Sequence, residues 1–510
     1  MSAASAWSVA LMGMEGTMVE VEAAIGGGLP RTVLVGLPDT ALYEARDRCH
    51  AAVGSTKLSW PSQQVTINLT PASLPKAGSH YDLAIVAAVL AAAGTAPRGL
   101  AAHTVMMGEL GLDARVRPVR GILPGLLAAR AAGFSRAIVP VSQLGEARLV
   151  EGMTVWGVES LPELLEVLDG RPVLHRACEA PEPDSQANPA GVPDMVDVVG
   201  QEEARHAVEV AAAGRHHLHL TGPPGVGKTM LAERLPGLLP PLSDEESLEV
   251  SAIHSLAGRQ LNSGLVRIPP LAAPHRTSSL ASMIGSGTRV PRPGSISLAH
   301  RGVLFLDEAP EFGANILDAL RTPLESGHVT IGRAQVQARF PARFQLVLAS
   351  NPCPCGNHGL AGAICRCAPM AVRRYADRLS GPVLDRIDVQ QTLVPVRKAY
   401  LRSAEARGET TAVIAERVAE ARERQARRLK GTPWRTNGEV PGAWLRTHLA
   451  PRHGLDLVDR ALVSGQLSAR GADKVVRVAW TLADLEGHDA VGTDDIAVAL
   501  ALRGGRTQAA

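Results

Sequence analysis

The chain has 510 residues, of which 45% are hydrophobic and 20% charged, and its formal net charge is +2. This is the composition of a folded, soluble protein, and the charge excludes polyanion binding by overall attraction, so any nucleic-acid site must be a local patch. Aromatic residues make up only 3%, so the cores are built mainly from Ala, Val and Leu, and the length predicts about three domains.

In chain order, the first residues carry no basic leader and soon meet Glu15. The longest apolar run, residues 83–94, falls short of the ~20 residues that span a bilayer. A cytoplasmic protein without membrane contact is expected, and with it reduced cysteines. A region of 178 residues, 1–178, precedes a Pro-rich, acidic stretch over 179–194 that reads as a linker.

Residues 195–397 read as a nucleotide-binding core. "HLHLTGPPGVGKTMLAERL" places a strand-like run before Gly222, Pro223, Pro224, Gly225, Val226, Gly227, Lys228 and Thr229, and a helical pattern after them. This is the G-x-x-x-x-G-K-[ST] phosphate loop in its strand–loop–helix context. Its glycines let backbone N–H groups surround phosphate oxygens at a helix N-terminus. Lys228 is expected to reach the β- and γ-phosphates of ATP, and Thr229 to ligate Mg²⁺. Residues 261–300 form an insert rich in Gly, Ser and Pro, with Arg276, Arg289 and Arg292 inside it and Arg301 just beyond. Such loops suit phosphate-backbone contact without base reading, or are ordinary solvated loops. "GVLFLDEAPEF" then reads as a buried strand ending in Asp307, for the Mg²⁺ shell, and Glu308, to polarise the attacking water. "ESGHVTIGRAQVQARFPARF" alternates as a hairpin with Gly332 and Arg333 near its tip.

"FQLVLASN" is another buried strand, ending in Ser350 and Asn351, where a polar side chain can touch a γ-phosphate or orient water. Four of the six cysteines follow at once: Cys353, Cys355, Cys365 and Cys367, spaced C-x-C-x9-C-x-C. Four thiolates in two close pairs can enclose one tetrahedral Zn²⁺ and fold a segment with few apolar residues. Reduced unliganded thiols, or a redox or iron–sulfur role, are the alternatives. Cys49 reads as a small buried residue and Cys178 as a linker thiol. "LSGPVLDRIDV" sets Arg386 between Asp385 and Asp388, and residues 398–510 carry charged helical patterns, a C-terminal helical domain.

"DVVGQEEARHAVEVAAAG", "GPPGVGKTMLAERLPGLLPPL", "PRPGSISLAHRGVLFLDEAPEF", "LASNPCPCG", "LSGPVLDRID" and "LSARGADKVVRVAWTLADLEG", in this order, resemble AAA+ ATPases. More closely they resemble the YifB/ComM family of magnesium-chelatase-like AAA+ proteins, over nearly the whole chain. The resemblance implies an α/β P-loop core with a helical lid, Asn351 as sensor 1, Arg470 as sensor 2, and Arg386 as an arginine finger given to a neighbouring subunit. A shared site implies a homo-oligomeric ring, a hexamer by family analogy, and a trans arginine is worth ~10³–10⁵ in rate. The implied activity is ATP-driven DNA translocation, as in branch-migration helicases of natural transformation. The motor subunit of a magnesium-chelatase-type complex and a protein-remodelling or regulatory module are the rival readings. One departure concerns the insert: the family's Arg-Pro-Phe-Arg before Ser-Pro-His-His is "IPPLAAPHRT" here, without both arginines and one histidine.

"LTPASLPKAGSHYDLAIVAAVL" and "GELGLDARVRPVRGILPGLLAARAAGFSRAIVP" resemble the α+β proteolytic domain of Lon, a fold shared with ribosomal protein S5. The position of Lon's serine is His80 and that of its lysine is Gly125, with Ser79 adjacent but out of register. Without a nucleophile and a basic partner no covalent route exists, so residues 19–168 are expected to be a non-catalytic scaffold or substrate guide.

Overall fold

The computed structural model describes residues 2–36, 40–74, 76, 78–171, 176–177, 193–261, 264–287, 291–332, 337–360, 364–395, 408–451 and 453–504. Most of the expected linker, the boundary expected at 397/398, Cys178, Arg289 and Arg333 lie outside the described residues.

The chain opens with two long antiparallel strands, Ser2–Met12 and Glu15–Gly26, paired in register from Ser2 with Ile25 to Met12 with Glu15. Gly13, at φ 66°, takes the left-handed conformation that the tight turn between them needs. They sit centrally in a mixed eight-stranded sheet of order Arg176–Ala177, Thr154–Val158, Arg136–Pro140, Val105–Met106, Ser2–Met12, Glu15–Gly26, Gln64–Thr70, Arg31–Val35. The apolar run at 83–94 becomes the helix Asp82–Ala92, buried at every residue and packed on the first two strands. A helix apolar all round is stable in water only when enclosed on all sides.

The second sheet has five parallel strands in the order Leu271–Ala272, Val303–Leu306, Gln345–Ser350, Leu218–Thr221, Val389–Thr392. All of Val303–Leu306 and all of Gln345–Ser350 are buried. Continuous apolar runs are what a parallel sheet covered on both faces selects. Because Gln345–Ser350 lies between the phosphate-loop strand and the Asp307 strand, the three strands end on one edge, with Thr221 paired to Ser350 and Leu306 to Leu348. Open parallel sheets bind ligands at that carboxyl edge.

The C-terminal helices Thr411–Arg428, Ala469–Glu486 and Thr493–Gly504 share one apolar core with the helix Glu202–Gly214 and the phosphate-loop strand. The helix Asp244–Ala257, started by a Ser243/Glu246 capping box, packs against Ile122–Ala131 of the N-terminal body. One cluster unites Val9, Leu123 and Leu126 with Ala252 and Leu261. Beside it the buried Glu146 accepts from the Leu123 N–H at 3.0 Å and from Ser255 Oγ at 2.5 Å.

The insert is more ordered than loops alone. A short helix Leu280–Ile284 leads into a ladder of Gly285–Ser286 with Arg292–Pro293. The expected hairpin forms between His328–Gly332 and Gln337–Pro341, its tip falling outside the described residues. Among the described residues no helix is long and apolar enough to cross a membrane.

Candidate functional site

The loop after Leu218–Thr221 turns through Gly225 (φ 78°) and Gly227 (φ 97°), both in the left-handed region that a Cβ disfavours. Lys228 then begins the helix Lys228–Leu238 with its side chain buried. Its ammonium donates to the carbonyls of Gly222 (2.7 Å) and Pro223 (2.9 Å) and to Asn351 Oδ1 (3.0 Å). Burial lowers the Lys228 pKa, opposed by the nearby carboxylates of Asp307 and Glu308. Thr229 Oγ1 donates to Asp307 Oδ2 at 2.8 Å, and Asp307 Oδ1 accepts from the Glu308 N–H at 2.9 Å. A cavity of about 330 Å³ is lined by Pro224, Gly225, Gly227, Lys228, Thr229, Asp307, Glu308, Ser350 and Asn351. A larger cavity of about 680 Å³ lies at the junction with the N-terminal body. There Arg301 is bound by Glu246 and Glu249, so the smaller cavity is the one where phosphate-binding chemistry converges.

Glu308 takes φ 50°, a left-handed conformation, as the chain leaves the strand for a short 3₁₀ turn. Its carboxylate is ion-paired with Arg276 of the insert. This contact was not legible in the sequence, since 32 positions separate the pair. Two further residues also went unread. Gln201, at φ 54°, donates to Val226 O (3.2 Å) and Val394 O (2.7 Å), tying the phosphate loop to the end of the last strand. His219 lies buried under the loop, its Nε2 2.7 Å from Ser350 Oγ, and burial lowers its pKa to about 4. A polar residue inside an otherwise apolar strand was the only available sign of it.

Arg301 corrects the expectation for the insert: its pairing with Glu246 and Glu249 commits it to the fold, so it is not a free phosphate contact. Arg292 is exposed.

Arg386 and Arg470 do not line the cavity. Arg386 is ion-paired with Glu325 and donates to Pro382 O at 2.7 Å, and the exposed Arg470 lies 3.6 Å from Asp385. Neighbouring Asp388 is buried rather than part of a surface ion-pair cluster. Burial alone would raise its pKa, but Lys474, His216 and His217 draw it well below the usual carboxylate range. Lys474, from the helix Ala469–Glu486, donates to Asp388 Oδ1 and to the Arg386 carbonyl, both at 2.7 Å. The lid therefore holds the backbone of the Arg386 segment.

The four cysteines beyond Asn351 come together, with every Sγ within 4.8 Å of the others. Cys353 lies 3.4 Å from Cys355 and 3.8 Å from Cys365, and Cys355 lies 3.7 Å from Cys365. Tetrahedral Zn²⁺ at a Zn–S distance of ~2.3 Å needs sulfurs about 3.8 Å apart, so the donor set fits. Backbone N–H groups of Asn357 and Arg366 lower the Cys355 pKa to about 6, whereas at Cys365 and Cys367 a backbone hydrogen bond is outweighed by hydrogen bonding among the crowded thiols, which raises the pKa, that of Cys367 to about 12. Cys49 is buried, as expected.

Family models described as magnesium chelatase subunit ChlI match residues 194–401, 21–143 and, for its C-terminal part, 408–503. The chain is 50% identical to an uncharacterized protein of Mycobacterium tuberculosis over 99% of both chains. It is 38% identical to competence protein ComM of Haemophilus influenzae, over 99% of this chain and 98% of that one. It is 39% identical to the uncharacterized protein YifB of Escherichia coli, over 97% and 96% of the two. The chain belongs to the YifB/ComM family of magnesium-chelatase-like AAA+ proteins. It is thus an AAA+ ATPase of this family, whose chemistry uses a nucleotide and Mg²⁺. Where the resemblance leads one to expect Ser-Pro-His-His, this chain has Ala273, Pro274, His275 and Arg276, and it is this arginine that pairs with Glu308.

Proposed function

We propose that the protein is a ring-forming ATP hydrolase that moves DNA, as a branch-migration motor of natural transformation would. The observation that carries the reading is a site with half its parts. Lys228, Thr229, Asp307, Glu308 and Asn351 share one cavity, while Arg386 lies outside it and is left to serve a neighbour's. A homo-hexamer would close that arrangement.

In this reading Lys228 leaves its three carbonyl acceptors for the β- and γ-phosphates, and the N–H groups of the loop surround them. Thr229 and Asp307, already hydrogen-bonded to each other, are placed to hold Mg²⁺, which when bound neutralises developing phosphate charge. Glu308 orients the attacking water, Asn351 reads the γ-phosphate as sensor 1, Arg386 stabilises transition-state charge from the adjoining subunit, and Arg470 is sensor 2. The cysteines Cys353, Cys355, Cys365 and Cys367 hold a structural Zn²⁺. The DNA assignment draws support from the competence protein among the relatives and from Arg292 on the insert.

The N-terminal body is read as a Lon-like domain without the dyad. His80 is buried against the Val9 carbonyl at 2.7 Å, and burial lowers its pKa to about 4. A Cβ at Gly125 would meet Met107 Sδ at 2.7 Å, so a lysine there would have to displace that side chain. ATP hydrolysis measured with and without branched DNA tests the function. Stimulation by branched over linear duplex is expected, and a rate indifferent to every DNA would return the argument to the chelatase-type or protein-remodelling motor.

A further inference from the structure

We propose that the cysteine loop is a brace for the phosphate loop, so that its metal occupancy sets the affinity for nucleotide. This rests on the reading of the four thiols as a zinc site and adds a regulatory consequence to it.

The loop has almost no core of its own: among the described residues of 351–368, only Cys353 and Gly356 are buried. A bound metal is therefore what would order it. Gly356 follows Cys355 directly, and its N–H donates to the Cys353 carbonyl at 2.9 Å, so its position is set by two of the sulfur donors. Gly356 has φ 78°, and a Cβ built on it would lie 2.4 Å from Pro224 Cδ and 2.9 Å from Pro224 Cγ. The backbone of the cysteine loop is thus pressed against the proline at the crest of the phosphate loop. Asn351, two positions before Cys353, makes a second contact by accepting from Lys228 at 3.0 Å. After the loop, the buried Tyr375 is hydrogen-bonded to the backbone of Asn351.

With the sulfurs gathered on a metal, Gly356 is fixed, Pro224 is backed, and the phosphate loop meets its ligand already shaped. Without the metal that backing goes, and part of the ordering is deferred to nucleotide binding. Binding preorganised groups is tighter because the ordering has been done beforehand. Deferring the ordering of about one residue's backbone weakens binding roughly tenfold. Linkage then requires nucleotide to hold the metal more tightly by the same factor.

The test uses the full-length protein at fixed Mg²⁺, with zinc content by elemental analysis and the dissociation constant of a non-hydrolysable fluorescent ATP analogue. About one Zn²⁺ per chain is expected, with roughly tenfold weaker analogue binding after a zinc-selective chelator and recovery on adding Zn²⁺. Gly356→Ala should keep its zinc and still bind the analogue several-fold more weakly, because the four thiols remain while Pro224 is displaced. Should the stripped protein or the variant lose its helical circular dichroism, zinc release from native protein decides: saturating analogue should slow it about tenfold. Protein from zinc-replete medium that carries no zinc overturns the zinc reading and the brace together. Zinc present, with analogue affinity indifferent to stripping or release indifferent to analogue, overturns the brace alone.

Discussion

Lys228 and Glu308 share one cavity, and in the proposed reading they act on different states of the reaction. Lys228 already spends three hydrogen bonds on carbonyl acceptors, and in that reading a bound nucleotide would replace them with charged oxygens. Lys228→Ala should abolish tight nucleotide binding, read as loss of fluorescent-analogue saturation. Glu308→Gln should leave that binding intact while turnover falls by ~10²–10⁴, the range for a lost base or water-orienting group. Equal turnover in wild type and Glu308→Gln would rule out that role. Arg276 adds a third expectation. Its ion pair with Glu308 leaves both side chains about half exposed, and pairs of that kind are worth ~0–1 kcal/mol. Arg276→Ala should free the carboxylate and raise basal kcat at saturating ATP by up to about fivefold, with KM little changed. The phosphate loop and Asp307/Glu308 were legible because each is a contiguous run with fixed chemistry. Arg276, Gln201 and His219 were not, because each acts through a partner brought near only by the fold.

The five-stranded sheet carries a dependence on pH. Burial holds His216, His217 and His219 at pKa values of about 4. His217 Nδ1 accepts from the Leu346 N–H at 3.0 Å, a bond that a protonated ring cannot make. Their folded pKa lies below the unfolded value of ~6.5, so between these the unfolded chain binds more protons. Stability should be full above pH ~6.5 and fall steadily toward pH 4, by at most about 1.4 kcal/mol per pH unit for each histidine. Asp388, with its lowered pKa, works in the same direction but only below ~3.9, outside that window. Denaturant midpoints at pH 7.5 and 5.5 check this, and His217→Asn should flatten the slope. Strand runs such as Val303–Leu306 could be read from their unbroken apolar pattern. The strand order could not, because the insertion of Gln345–Ser350 between two motif strands depends on pairings far apart in sequence. The insert was read as loops because Gly, Ser and Pro mask the short ladder of Gly285–Ser286 with Arg292–Pro293.

For the whole molecule, the separation of Arg386 from the cavity predicts complementation between subunits. Arg386→Ala and Glu308→Gln proteins should each be nearly inactive, and mixing them should restore part of the hydrolysis through interfaces that combine an intact Glu308 with an intact Arg386. Activity that responds neither to mixing nor to dilution would exclude a shared site.

Val9, Leu123 and Leu126 of the N-terminal body and Ala252 and Leu261 of the core lie in one packed cluster, with Glu146 and Ser255 hydrogen-bonded beside it. A joint of this kind has no slack. Were nucleotide turnover to tilt the helix Asp244–Ala257, the packed joint would carry that tilt into the N-terminal sheet, making it a lever arm rather than a tethered passenger. Whatever bound that sheet would then move together with the core. Severing the chain in the 179–194 segment should leave the two pieces bound to each other, and removing the first piece should strand an oily strip on the second.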